Sequence, residues 1–208
     1  MTPEDQAASL LPRLLAIKQQ GRLLVALAGP PASGKSTLAE ALVRALNAAG
    51  RTASLVPMDG FHLDNRILSA RGLLHIKGAP QTFDAEGFIS LVRRLKSDPQ
   101  VFFPVFDRTR DLAVAGAAEV APDTRVAVIE GNYLLFDAAP WRDLAGLWDF
   151  SLFIHLPEAT LRDRLIRRWQ DHGLEPAAAL ARAEANDLPN ARRILAHRLP
   201  ADLDIQVP

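Results

Sequence analysis

Nine consecutive residues, Gly29-Pro30-Pro31-Ala32-Ser33-Gly34-Lys35-Ser36-Thr37, carry the densest chemistry of the chain. They fit the spacing G-x-x-x-x-G-K-[ST], in which glycines let the main chain turn its N–H groups toward an anion. The Lys35 ammonium can reach the β- and γ-phosphates of a nucleotide, and the Ser36 hydroxyl can ligate Mg²⁺. A helix that starts there aims the positive end of its dipole at the same charge. Gly29 and the run from Ala32 to Thr37 are therefore expected to wrap phosphates.

Two carboxylates lie where such a loop can use them. Asp59, in Met58-Asp59-Gly60-Phe61-His62, can accept a hydroxyl proton and align the oxygen for phosphoryl transfer. The plainer alternative is a turn aspartate before a glycine. Glu130 ends an apolar run, where an acid is unfavourable unless a cation compensates it. Mg²⁺ held jointly with Ser36 would do so. The alternative is an acid at a sheet edge capped by backbone N–H groups.

Between these acids lie Arg66, Arg71, His75, Lys77, Gln81, Asp84, Asp107, Arg108 and Arg110. That polar density exceeds what a crossover requires and is read as an acceptor pocket, with His62, Lys77, Gln81 and Arg108 as substrate-binding candidates. His62 and His75 lack the paired His/Asp/Glu spacing of a metal site. Glu158 to His172 combines Leu161, Leu165 and Trp169 on one stripe with Arg162, Arg164, Arg167 and Arg168 on other faces. It is either a solvated basic helix or a lid whose arginines, Arg164 and Arg168 foremost, close on phosphates and exclude water.

The elements that must position these groups follow an alternating order. A helical stripe over 3–20 precedes strand 23–28, the loop, helix 36–49 and strand 52–56. A mixed segment runs to Gln81, and Asp84 caps a helix to Lys96. Residues 101–106 and 117–121 are expected to pair as an inserted hairpin. Strands 125–130 and 150–155 follow, then helices 158–172, 176–187 and 189–198, and a last strand at 203–207. Strands alternating with helices predict an α/β fold, a three-layer arrangement with a central parallel sheet and a helical lid, as one domain spanning 1–208. Ligands of such sheets bind beyond the carboxyl ends of the strands, where the three clusters would meet.

Bulk properties narrow the partners. The 208 residues hold 24 Lys and Arg against 24 Asp and Glu, so no global positive field draws nucleic acid or anionic membrane. Cysteine is absent, which removes disulfides and thiolate metal sites and suits a reducing cytoplasm. Glu4 and Asp5 replace a basic N-terminal flank, and no apolar run approaches the ~18 residues of a membrane span. A homodimer is an open expectation, dimers being frequent among soluble enzymes.

Taken with the loop, the segments Met58–His62, Lys77-Gly78-Ala79-Pro80-Gln81-Thr82-Phe83-Asp84, Val128-Ile129-Glu130-Gly131-Asn132-Tyr133-Leu134-Leu135, Arg164–Trp169 and Asp187-Leu188-Pro189-Asn190-Ala191 give the chain a family likeness. From Leu23 to Ala191 it resembles the P-loop kinases of the uridine kinase, type I pantothenate kinase and phosphoribulokinase group. Within that group it is most similar to bacterial nucleoside or nucleotide kinase-like proteins, some called fructose transport system kinases. The resemblance implies transfer of the ATP γ-phosphoryl group to a small-molecule alcohol, with Asp59 as base, Glu130 near Mg²⁺, lid arginines from 158–172 and Asn190 near the adenine. Gly60-Phe61-His62 replaces the Ser-Phe-Tyr-type continuation of uridine kinases, and the chain is shorter than pantothenate kinases. A nucleotide-dependent switch or ATPase acting on a transport or metabolic partner is the rival reading, and it needs no acceptor pocket. A nucleic-acid-linked role suffers from the balanced charge and few aromatics.

Overall fold

The computed structural model describes Thr2 to Val207; Met1 and Pro208, the ends of the expected 1–208 domain, lie outside the described residues. Five parallel strands form the central sheet in the order β2-β5-β1-β6-β7. Strand β1 (Leu23–Ala28) sits at its centre and is buried at all six positions, as its unbroken apolar run demands. Side chains alternate across it. Leu23, Val25 and Leu27 meet α1 (Pro3–Ala16) and α2 (Lys35–Ala48) on one face. Leu24, Ala26 and Ala28 meet α4 (Ala85–Ser97) and the aromatic cluster of Phe88, Tyr133 and Trp141 on the other. Helices therefore cover both faces, as expected.

Register brings the chemistry to one level. Strand β5 (Val126–Gly131) runs beside β1 with Glu130 opposite Leu27, and β2 (Ala53–Pro57) runs beside β5 with Pro57 opposite Glu130. The segments leaving β1, β2 and β5 thus emerge together. Within β5, Val126 and Val128 face α2. Glu130 shares their parity, so its carboxylate lies on the α2 side.

Several boundaries differ from expectation. Helix α1 stops at Ala16 rather than Gln20, because Lys18-Gln19-Gln20 offers no apolar side chain to bury. The mixed segment contains α3 (Asn65–Ala70), capped by the Asp64 side chain accepting from Arg66 N. The inserted hairpin pairs β3 (Val101–Asp107) with β4 (Leu112–Val120), a longer second strand than expected. Its register shifts at Pro104, which has no N–H to donate to the ladder. Strand β6 is Phe150–His155, and β7 (Leu203–Gln206) adds the outer edge. Helix α5 spans Glu158–Asp171 and α6 spans Pro176–Arg182; the expected 176–187 helix breaks there into a π-helical turn, Ala183–Asp187, before α7 (Leu188–Ala196). Pro189 lacks the N–H that would close an ordinary helical turn back to Ala185, so the spiral widens.

The hairpin lies directly on the 3₁₀ turn Met58–Phe61 that carries Asp59. A Cβ at Gly60 would stand 2.0 Å from the Pro104 carbonyl oxygen, so only glycine lets the two backbones touch. Gly60→Ala is expected to lower unfolding stability by about 1–3 kcal/mol through overpacking. Gly146→Ala, with open space around the added carbon, should change little. Urea denaturation midpoints of the two variants check this.

Candidate active site

The phosphate loop takes its shape from two left-handed residues, Ala32 at φ 60° and Gly34 at φ 91°. Gly34 is the residue before α2, whose first turn has no side-chain cap, so its N–H groups stay available. A Cβ at Gly29 would come 2.8 Å from Ser33 Oγ, itself a buried hydroxyl without a partner. These are the features of an anion cradle: left-handed backbone turns, a tight glycine and an unsatisfied donor. Thr37 lies on the exposed rim of the same cleft.

Beneath the loop, Ser36 Oγ donates to Glu130 Oε2 at 3.1 Å. Burial raises the Glu130 pKa, and the nearby Lys35 ammonium opposes that rise. The same burial lowers Lys35, against the pull of Glu130 and Asp59. A hydroxyl beside a carboxylate is the oxygen pair from which Mg²⁺ is held when phosphates and water complete its shell. Among the described residues no group of three or more His, Cys, Asp or Glu converges, so the donor set fits an ion shared with a ligand rather than a closed protein cage.

The cleft encloses about 1210 Å³. Lys35, Ser36, Asp59, Arg164, Arg168 and Asn190 all line it, so residues from four separate stretches of sequence share one cavity. Arg164 Nη1 reaches back to the Ser33 carbonyl at 3.4 Å. Burial and the like charge of Arg108 lower the Arg168 pKa. Asn190 Nδ2 donates to Asn186 Oδ1 (3.1 Å), and Asn186 Nδ2 donates to the Lys77 carbonyl (3.0 Å). Arg162 instead pairs with Glu184 on the outside, so only part of the arginine helix faces the cleft.

His62, Lys77 and Arg108 also line the cavity; Gln81 does not. The turn Pro80–Thr82 tucks Thr82 inward, where its Oγ1 accepts from Gly78 N and donates to the Ala79 carbonyl, leaving Gln81 exposed. Others of the expected pocket are structural as well. Asp84 caps α4 through Gly87 N, Arg66 pairs with Asp64, and Arg110 lies beside Asp107. In their place stand Asn65, Phe106 and Asp111, together with Asn132, whose buried Oδ1 has no partner. Asn132 sat inside a motif already singled out; the pairing of Asn65 with Asp111, 46 residues apart, had no signal in the sequence.

Residues 24–206 match the sequence model of the Phosphoribulokinase / Uridine kinase family. The chain belongs to this family. A solved structure described as a candidate fructose transport system kinase from Silicibacter sp. TM1040 superposes with a TM-score of 0.91 at 58% identity, covering 99% of each chain. A candidate uridine kinase of Schizosaccharomyces pombe is 34% identical over 200 residues, 91% of this chain and 85% of its own length. A pantothenate kinase of Enterococcus faecalis is 29% identical over 150 residues, 70% of this chain and 47% of its own. The chain spans about half of that enzyme. Membership of the phosphoribulokinase/uridine kinase family makes the chain an ATP-dependent P-loop kinase acting on a small molecule. No helix among the described residues is long and apolar enough to cross a membrane.

In this kinase His62 packs between Phe83 and Phe106, with ring centroids 4.0 and 4.8 Å away, and its Nδ1 lies 2.8 Å from the Asp59 carbonyl. Burial lowers its pKa, against the attraction of Asp59. The unfolded imidazole takes up its proton near pH 6.5 and the folded one only at lower pH, so stability is full above that value and falls on acidification. His62→Gln should therefore lose less stability than the native chain between pH 7.5 and 5.5, as read from urea midpoints.

Proposed function

We propose that this kinase transfers the ATP γ-phosphoryl group to a hydroxyl of a small metabolite, with Asp59 as the group that receives the hydroxyl proton. The observation that carries this reading is the shared cavity. Asp59 lines the same cleft as Lys35 and Ser36, and the cleft continues past it to His62, Asn65 and Phe106. A nucleotide switch needs no second compartment beside its phosphates, whereas a phosphotransferase needs one for the acceptor. At about 1210 Å³ the cleft exceeds the ~300–1,000 Å³ of a single small-molecule site.

In this reading the chain's own groups divide the work. The loop amides, Lys35 and the unpaired Ser33 hydroxyl hold the phosphates, and Ser36 with Glu130 would hold Mg²⁺, whose charge screens the phosphate oxygens when bound. Arg164 and Arg168 approach from α5 to stabilise negative charge on the transferred group and to exclude water. Asn190, buried on the α7 side of the cleft, is assigned to the base of the nucleotide. Asp59 orients the acceptor hydroxyl and takes its proton as the new P–O bond forms. The bond to the bridging oxygen breaks in the same step, and ADP leaves with that electron pair. A cysteine-free chain with balanced charge suits work on a dissolved metabolite in the cytoplasm, with neither nucleic acid nor membrane taking part.

Lys35→Ala is expected to weaken both nucleotide binding and turnover. Asp59→Asn should leave binding of a fluorescent ATP analogue nearly intact while transfer falls on the order of a hundredfold or more. The acceptor for that measurement comes from a metabolite library scored by ATP consumption and product mass. Undiminished transfer by Asp59→Asn would remove it as the base.

A further inference from the structure

Asp59 is already engaged. Arg108 Nη2 donates to its Oδ2 at 2.8 Å. The guanidinium takes one of the carboxylate's about four lone-pair sites and leaves Oδ1 without a side-chain partner among the described residues, so a hydroxyl that is to use Oδ2 has to displace it. Arg108 is the more exposed partner, with 52% of its side chain accessible against 22% for Asp59. It also stands at the tip of the β3–β4 hairpin rather than on the sheet.

The surroundings decide what can draw it off. The hairpin tip itself is pinned, since Lys77 Nζ donates to Asn65 Oδ1 (2.7 Å), Asp111 Oδ1 (2.8 Å) and the Asp111 carbonyl (3.2 Å). Those three acceptors exhaust the three ammonium donors, so Lys77 has none left for a ligand. Arg108 differs: its contact with Asp59 is its one side-chain hydrogen bond among the described residues, and a guanidinium carries five N–H donors. The aromatic groups at this end are packed on one another, Phe106 against His62 at 4.8 Å and beneath the Lys77 ammonium at 5.0 Å. Arg168 lies close enough to feel the Arg108 charge, and an anion between two like-charged guanidinia relieves their repulsion.

We propose that Arg108 recognises an acidic group, carboxylate or phosphate, on the alcohol acceptor, and that it holds Asp59 until that group draws it away. This rests on the kinase reading above and narrows its acceptor to hydroxy acids and phosphorylated alcohols. Arg108 keeps its charge and exchanges one anionic partner for another. Asp59 Oδ2 is thereby released and joins Oδ1 within reach of the hydroxyl proton.

Three compounds of one carbon skeleton test it: glycerate, glycerol 3-phosphate and glycerol, each added to the full chain saturated with Mg²⁺ and a non-hydrolysable ATP analogue. Thermal midpoints are expected to rise with one or both acids and not with glycerol, and the acid that acts separates the carboxylate from the phosphate form. Arg108→Gln should abolish that rise while keeping the midpoint shift caused by the analogue. Arg108→Lys, which keeps charge but not the fork, should restore only part of it. Equal shifts by all three compounds, no shift by either acid, or a shift retained in Arg108→Gln overturns the proposal. A neutral alcohol phosphorylated by the native chain would also overturn it while leaving the kinase reading intact; that reading falls if no alcohol of the metabolite library is phosphorylated.

Discussion

Everything in this site hangs on a carboxylate held at the end of a buried strand. Glu130 lies in a strand with no exposed position, and a lone charge there would be strongly unfavourable. Lys35 and Ser36 answer it from the first turn of α2, the turn that closes the phosphate loop. Sheet, loop and helix are thereby fixed to one another by charge as well as by packing. The arrangement leaves a cationic lysine and a hydroxyl facing the cleft, ready for phosphate and a hard cation. Breaking either half would strand an ion in an apolar layer.

Around that centre the fold adds two attachments by different means. The hairpin is pressed onto the Asp59 turn through Gly60, where backbone meets backbone, and is fastened at its tip by Lys77 with Asn65 and Asp111. The helical side, α5 to α7, has its own small core of Leu165, Ala183 and Leu188 rather than a share of the sheet's. It is tied to the segment after α3 through main-chain carbonyls: Arg182 Nη1 donates to His75 O, and Asn186 Nδ2 donates to Lys77 O. Lys77 is therefore a junction, its ammonium joined to the hairpin and its carbonyl to the helical side.

Much of this was legible in the residues. The loop spacing, the apolar runs of β1 and β5, the Asp84 cap and the Leu161–Leu165 stripe act through neighbours in sequence, and local chemistry decides them. The segment from 62 to 84 was not legible in that way. Its charges looked like one pocket, yet Arg66 pairs with its neighbour Asp64, Asp84 caps a helix, and Gln81 is turned outward by the burial of Thr82. Short polar residues have several near-equal local partners, so type and spacing alone do not rank them.

What the sequence determined by itself is the phosphate cradle, the alternation of strands and helices, and the presence of Asp59 and Glu130 after apolar strands. What only the tertiary structure decided is which distant polar groups meet: Arg108 with Asp59, Lys77 with Asp111, and Asn186 with Lys77. The reason is range. Periodicity and capping are set within a few residues along the chain, whereas hydrogen bonds across 34, 49 or 109 residues depend on strand register and on where the hairpin lands.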